Sequence, residues 1–281
     1  MSSTEDRSRR AYWVAEMDKA FNFMQAIREY PVDECLEPML SLVDAARTAG
    51  VDVSFSAKPH VKGLPRLFWL REGLIDSFIA CAKEMNDHGW VIQVEDGFRT
   101  MQMQKSLGSA PYTFDVIFER VLWECNGTRP PTDLVIRRIN ALVAASPKVG
   151  THMSGSAIDI SVLHRDTREE VDRGRPYLEM SELTPMDSPF VSAQARSNRK
   201  AITALMQKHG FMAYPWEFWH YSKGDAYDYH LNRTGKPARY GAVQVAPDGH
   251  VIAIEDPCAP LNSPQEIEAE IARVLNEQES R

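Results

Sequence analysis

The chain has 281 residues, of which 43% are hydrophobic and 25% charged, the proportions of an ordinary soluble globular protein. Lysine and arginine number 32 against 39 aspartates and glutamates, and the basic residues are scattered, so nucleic acid is not expected as a partner. No run of apolar residues approaches the roughly 18 that a membrane-spanning helix needs, and the polar first ten residues lack the apolar core of a secretory signal. These features predict a cytoplasmic protein without membrane insertion.

The first fifty residues carry apolar side chains at helical spacing and predict two helices separated by Pro31. The apolar positions are Phe21, Met24 and Ile27 in the first run and Leu36, Met39, Leu40 and Val43 in the second. Gly50 is predicted to end the second helix, and the turn-rich residues 59–65 that follow favour a domain boundary. Residues 1–60 are therefore predicted to form an N-terminal helical extension.

The middle of the chain alternates between helical and strand patterns. A helical face over residues 71–88 is followed by strand-forming residues 90–94. Further helices are predicted at residues 112–125, 132–145 and 193–209, and further strands at residues 157–162, 211–214 and 218–222. Helices and short strands in this order predict an α+β domain over residues 61–245.

The C-terminal residues 246–281 are predicted to add a hairpin strand and a helical tail. Two short apolar segments, 243–245 and 251–254, flank a Pro-Asp-Gly turn at residues 247–249. A helix should then begin after Ser263, because Pro264 suits the first helical position and Glu266 completes a capping box.

Two groups of residues contain candidate metal ligands. In the first, residues 150–159, His152 precedes a predicted strand and Asp159 lies within it, and the intervening small residues let the backbone pass close to a site. In the second, Glu217 and His220 are three residues apart, so on a regular strand they would point to opposite faces. We expect a bulge or turn near Pro215 to bring them together. Spacing alone leaves open whether these histidines bind a metal or are ordinary core or surface side chains.

Other hydrolase chemistries have less support in the sequence. The four cysteines form no C-x-x-C pair, and no Gly-x-Ser-x-Gly elbow is present. A thiolate metal site, a cysteine hydrolase and a serine hydrolase are therefore disfavoured.

Together with the Asp-Gly-Phe-Arg turn at residues 96–99, the two groups resemble the zinc D,D-peptidases, and most closely the vancomycin-resistance type D-alanyl-D-alanine dipeptidases. The shared elements are His-x-x-Gly-x-Ala-x-Asp at residues 152–159 and Glu-aromatic-Trp-His-Tyr at residues 217–221, in the same order. The resemblance covers residues 64–222. It implies the fold shared with the Hedgehog signalling domain, a small antiparallel sheet with helices packed on it.

The resemblance also implies roles for five side chains. His152, Asp159 and His220 match the zinc ligands, Glu217 matches the catalytic base, and Arg99 matches the arginine that stabilises the reacting carbonyl. The implied activity is zinc-dependent hydrolysis of a small peptide containing D-amino acids, with a D-Ala-D-Ala-type dipeptide as the first candidate. The alternatives are a D,D- or L,D-carboxypeptidase or endopeptidase acting on peptidoglycan peptides, and a Hedgehog-like zinc-binding module without catalysis.

The sequence departs from this family where the substrate is held. Gly150 stands where the family usually has a serine, and Leu178 aligns with the acidic residue that binds the amino end of the dipeptide. Glu179 or Glu182 could replace that anion after a one-residue shift, or both could belong to a solvated acidic loop. The two terminal extensions could pack on the core, narrow the cleft or form a homodimer contact.

Overall fold

The computed structural model describes residues 3–59, 61, 63–108 and 110–279. The helices are α1 (Ser3–Glu29), α2 (Leu42–Ala49), α3 (Ile75–Asp87), α4 (Met101–Gly108), α5 (Pro111–Glu124), α6 (Thr132–Leu142), α7 (Ala193–Lys208), α8 (Ala226–Leu231) and α9 (Pro264–Glu279). The strands are β1 (Met39–Ser41), β2 (Val53–Phe55), β3 (Trp69–Arg71), β4 (Trp90–Asp96), β5 (Ala157–His164), β6 (Met212–Ala213), β7 (His220–Ser222), β8 (Val243–Val245) and β9 (Val251–Ala253).

A five-stranded sheet in the order β2-β4-β5-β7-β6 forms the centre of the fold. All neighbouring strands are antiparallel except β2 and β4, which are parallel because β3 and α3 lie between them and return the chain to its starting edge. The predicted α+β class is confirmed, and the sheet differs from the expected antiparallel one only in this edge pair.

One face of the sheet is covered by α3 and α7. Phe78 on α3 and Ile202 on α7 are fully buried and belong to one apolar cluster with Ile158 and Ile160 of β5. Because successive side chains on a strand point to opposite faces, Asp159 between these isoleucines points to the other face. The alternation along β5 therefore separates the hydrophobic core from the candidate site.

The opposite side of the molecule is a helical lobe, which we define as α1, α5, α6, α8 and α9. These helices share one apolar cluster that includes Trp13, Phe118, Ile139, Tyr227 and Ile271. The N-terminal helix α1 and the C-terminal helix α9 thus pack on α5 and α6 from the middle of the chain. Residues 1–60 also contribute β2, which pairs with β4. The domain boundaries near residues 60 and 245 remain predictions; His60 and Lys62 lie outside the described residues.

The prediction of a helix that begins near Leu36 is wrong for the first turns of that helix. Residues 39–41 form β1, which pairs with β3, and the helix begins only at Leu42 after Ser41, whose hydroxyl accepts a hydrogen bond from the backbone of Asp44 at 3.2 Å. Because residues 39–41 pair with β3, a strand distant in the sequence, they form a strand where the apolar spacing predicted a helix. Leu36 and Leu40 remain 51% and 39% exposed, so they do not form the predicted apolar face.

Other predicted elements are confirmed with small changes at their ends. The 71–88 helix, the following strand, the helix at 193–209 and the hairpin of β8 and β9 are all present. The capping box of the last helix is formed, with Ser263 and Glu266 each receiving the other's backbone N–H. Among the described residues, no helix combines the length and the apolar character needed to cross a membrane.

Candidate active site

β5 and β7 bring two candidate ligands side by side. The strand register pairs Asp159 with His220, and Nδ1 of the histidine lies 2.9 Å from Oδ1 of the aspartate. Both side chains are buried. Antiparallel pairing therefore joins the two sequence groups that the motifs singled out.

His152 is held in a short 3₁₀ turn, Thr151–Ser154, directly before β5. Its Nδ1 donates to the carbonyl oxygen of Gly97 at 2.7 Å, and its Nε2 lies 3.2 Å from Oδ1 of Asp159. Glycine is needed at position 97 because an added Cβ would lie 2.7 Å from the Leu67 carbonyl oxygen. Since Nδ1 carries the proton, the lone pair of Nε2 faces the aspartate and is available to a metal.

His220 is oriented by a hydroxyl group. Its Nε2 lies 2.9 Å from Oγ1 of Thr151, which leaves Nδ1 facing Asp159. The three candidate donor atoms, from His152, Asp159 and His220, all lie within 4.8 Å of one another. Two imidazole nitrogens and one carboxylate oxygen, each fixed from behind by a hydrogen bond, are a donor set that fits zinc with one position left open.

The electrostatics favour the protonation states that a metal requires at Asp159 and His152. At His220 burial lowers the pKa, but the hydrogen bond with Asp159 outweighs burial and that pKa is raised. Burial would raise the pKa of Asp159, but the adjacent His152 and His220 outweigh burial and hold that pKa well below its usual value. Burial and the nearby Arg99 lower the pKa of His152. An ionised carboxylate and a neutral imidazole are the forms that bind a cation.

The far oxygen of Asp159 is fixed by two donors. Oδ2 accepts hydrogen bonds from the hydroxyl of Tyr177 at 2.9 Å and from Nη2 of Arg99 at 3.3 Å, so Oδ1 alone faces the two histidines. Arg99 in turn is held by Asp96, whose Oδ2 accepts from Nε at 2.6 Å, and its backbone N–H donates to the carbonyl of His152. The guanidinium is therefore positioned at the rim of the cluster.

Glu217 lies in a turn and not on a strand. The strand predicted over residues 218–222 begins only at His220, and the backbone N–H of His220 donates to the Glu217 carbonyl at 3.1 Å. This turn is the irregularity expected near Pro215, and with it both Glu217 and His220 line one cleft. Burial raises the pKa of Glu217 to about 7, although His220 and Arg99 act to lower it. A carboxyl group with this pKa is suited to exchange protons near neutral pH.

The cleft beside these residues has a volume of about 780 Å³, including its open mouth. Gly150 and Leu178, the two positions that depart from the family pattern, line it. Glu179 is not among the lining residues. Glu182 is buried and forms ion pairs with Arg9 at 2.9 Å and with Arg120 at 2.5 Å, so it is not a solvated loop residue.

Sequence reasoning missed two supporting residues. Thr151 orients His220, and its only signal in the sequence is its position next to His152. Tyr177 bonds Asp159 from a loop 18 residues further along the chain, and no motif points to it. The roles of ligand, base and carbonyl-stabilising group remain predictions for the five residues that the geometry brings together.

Comparison with known proteins adds a family assignment. The profile of the M15 peptidase family, described as D-ala-D-ala dipeptidase, matches residues 75–238. Two D-alanyl-D-alanine dipeptidases, from Enterococcus faecium and Enterococcus faecalis, are 35% and 32% identical to the chain over 71 residues. Each stretch covers 25% of this chain and 35% of the relative, so the chain spans about a third of the length of these curated relatives.

Two solved structures are similar at a TM-score of 0.37. One is the LdcB LD-carboxypeptidase, at 17% identity, covering 75% of this chain and 80% of that chain. The other is the vancomycin resistance D,D-pentapeptidase VanY in complex with Zn(II), at 14% identity, covering 66% of this chain and 93% of that one. Since the profile match spans more than half of the 281 residues, the chain belongs to the M15 family of D-ala-D-ala dipeptidase-type metallopeptidases, as its motifs predicted.

Proposed function

We propose that this protein is a zinc-dependent hydrolase that cleaves a peptide bond in a small peptide containing D-amino acids, of the D-Ala-D-Ala type. One observation carries the proposal: the donor atoms of His152, Asp159 and His220 converge within 4.8 Å on a cleft that Glu217 and Arg99 also line. Family membership and the names of the enterococcal relatives support the substrate class.

Zinc is the proposed cofactor, held by His152 through Nε2, Asp159 through Oδ1 and His220 through Nδ1. When bound, it would supply a Lewis acid that makes water more acidic and polarises the substrate carbonyl. Gly97 and Thr151 fix the ring orientations, so the donor atoms are positioned before the ion arrives.

Glu217 is the proposed proton carrier. With its pKa near 7, the carboxylate accepts a proton from the attacking water and then donates it to the leaving amine. Arg99 is cationic at any working pH and stabilises the negative charge that develops on the carbonyl oxygen. Since the ion pairs with Asp96 and Asp159 already fix the guanidinium, little reorganisation is needed during the reaction.

The test uses purified protein stripped of metal and then restored with zinc. It is given a panel of D,D- and L,D-dipeptides and their longer counterparts, and released amino acid is measured. The restored wild type should hydrolyse at least one class, while Glu217→Gln should bind zinc normally and lose about 100-fold to 10,000-fold in kcat. No release from any substrate, or equal rates for wild type and Glu217→Gln, would contradict the proposal.

A Hedgehog-like zinc module without catalysis is the competing function. Such a module has no need of a carboxyl group with a pKa near neutrality beside the ligands, which favours the hydrolase. A cytoplasmic location and a homodimer remain predictions from the sequence. Cell fractionation and the mass of the protein in solution test them.

A further inference from the structure

A second cavity lies next to the active-site cleft. It is bounded by α1, α6 and the segment that leads into α9, and its volume is about 900 Å³ including its mouth. Met24, Val143, Ala144 and Val149 line both this space and the cleft, so the two share a wall. We call the second space the rear cavity.

The rear cavity has the composition of a ligand site. Its lining is mostly apolar and includes Ile136, Ile139 and Ile267. Ser146 also lines it and is only 6% exposed, yet its hydroxyl has no hydrogen-bond partner among the described residues, and neither has the side-chain amide of Asn140. Buried polar groups are normally paired, and ligand sites combine apolar walls with a few polar groups that orient the ligand. These two side chains are therefore positioned to bind polar atoms of an occupant.

The charge of the rear cavity favours an anion. Among the described residues that line it, Arg28 of α1 is the one with a permanent charge, and none is an aspartate or glutamate. Arg28 is exposed at the mouth, where its Nη2 donates to the Cys258 carbonyl oxygen at 3.5 Å, and no described acid pairs with it. Arg9 and Arg10 on the same helix each pair with a carboxylate. The Arg28 guanidinium is therefore available to a carboxylate from outside the chain.

We propose that the rear cavity binds a small monocarboxylic acid with an apolar body, a ligand distinct from the peptide substrate. The apolar body packs against the isoleucine side chains, Arg28 pairs with the carboxylate, and Ser146 and Asn140 donate hydrogen bonds to its oxygen atoms. Such an acid carries the one negative charge that the lining lacks, whereas a cationic or doubly charged ligand would leave a charge without a partner. This binding needs neither zinc nor hydrolysis, so it is independent of the proposed function.

The first test titrates metal-free, full-length protein with octanoate and with octanamide, which has the same chain without the charge, and measures both affinities by calorimetry. Octanoate should bind to the wild type, and Arg28→Met should weaken its binding about 5-fold without changing the affinity for octanamide. Arg7→Met, at an exposed position on α1 outside the rear cavity, is the matched control. No octanoate binding, an unchanged octanoate affinity in Arg28→Met, an equal loss for octanamide, or a loss of the same size in Arg7→Met overturns the proposal.

A second variant tests the apolar part of the rear cavity. Ile136→Trp, at a half-buried position on α6, places an indole ring in the space, so octanoate should bind at least about 10-fold more weakly. A thermal melt shows that the variant is folded. Unchanged octanoate binding in the folded variant overturns the proposal.

Cys258 reports on occupancy in the wild type, so this third test does not depend on the folding of any variant. Cys258 lines the rear cavity, whereas Cys35 is exposed and lies outside it. At about ten times its dissociation constant, octanoate should slow alkylation of Cys258 by iodoacetamide about 10-fold and leave Cys35 unaffected, as measured by mass spectrometry of the peptides. Equal rates with and without octanoate, or equal slowing at both cysteines, overturn the proposal.

Discussion

The two walls of the cleft are built by different parts of the chain and differ in chemistry. The sheet wall carries Asp159 and His220 on paired strands, with each polar atom fixed by a neighbour. The wall formed by the helical lobe and the loop after β5 includes Met24 and Leu178, and the buried acid of that loop, Glu182, is paired with Arg9 and Arg120. We therefore expect the sheet wall to supply the reaction and the opposite wall to contact the rest of the substrate.

The largest expected effect comes from the sheet wall. Asp159→Asn removes the one anion between His152, His220 and Arg99, so we expect loss of zinc and a fall in kcat/KM of more than about 1000-fold. Zinc content by atomic emission and activity after zinc addition measure both. Asp187→Asn, a change at an exposed aspartate, is the control. Full activity of Asp159→Asn would show that the metal is held elsewhere.

A variant at Glu217 tests the buried carboxyl group through stability. Its pKa in the folded protein, about 7, is above its usual value of 4.5, so the folded state keeps a proton that the unfolded state has released between these pH values. Metal-free wild type should therefore lose stability as pH rises from 4.5 to 7, by at most about 3 kcal/mol, relative to metal-free Glu217→Gln. Urea unfolding of both proteins across this range measures the difference. Parallel curves would contradict a raised pKa.

On the opposite wall, Glu182 should matter for stability and not for the reaction. Glu182→Gln leaves Arg9 and Arg120 without their anion, and we expect the free energy of unfolding to fall by about 2 kcal/mol. The kcat/KM of the zinc-loaded protein should stay as in the wild type. Glu119→Gln, at an exposed position on α5, is the matched control. A changed kcat/KM in Glu182→Gln would show that this acid contacts the substrate.

The smallest expected effect is at Tyr177. Tyr177→Phe removes one of the two hydrogen bonds to Oδ2 of Asp159, so zinc affinity should fall about 10-fold while the zinc-saturated kcat changes little. Competition with a chelator gives the affinity. Tyr229→Phe, which does not line the cleft, serves as the control. Unchanged affinity would mean that Arg99 alone orients the carboxylate.

The sequence indicated the sheet wall better than the wall opposite it. His152, Asp159 and Glu217 lie in compact motifs whose resemblance to a known family implied their roles. The turn near Pro215 was expected because the spacing of Glu217 and His220 conflicts with strand geometry. The pairing of Glu182 with Arg9 depends on α1 folding back onto the loop after β5, 173 residues apart, which no local pattern encodes. For the same reason the pairing of β1 with β3 was not predicted, and residues 36–41 were assigned to a helix.

The most direct test of the account is a crystal structure of the zinc-loaded protein with anomalous diffraction at the zinc edge. The account predicts one ion coordinated by Nε2 of His152, Oδ1 of Asp159 and Nδ1 of His220, with Glu217 facing the open coordination position. An ion bound by other residues, or no anomalous peak between these three side chains at saturating zinc, would contradict it.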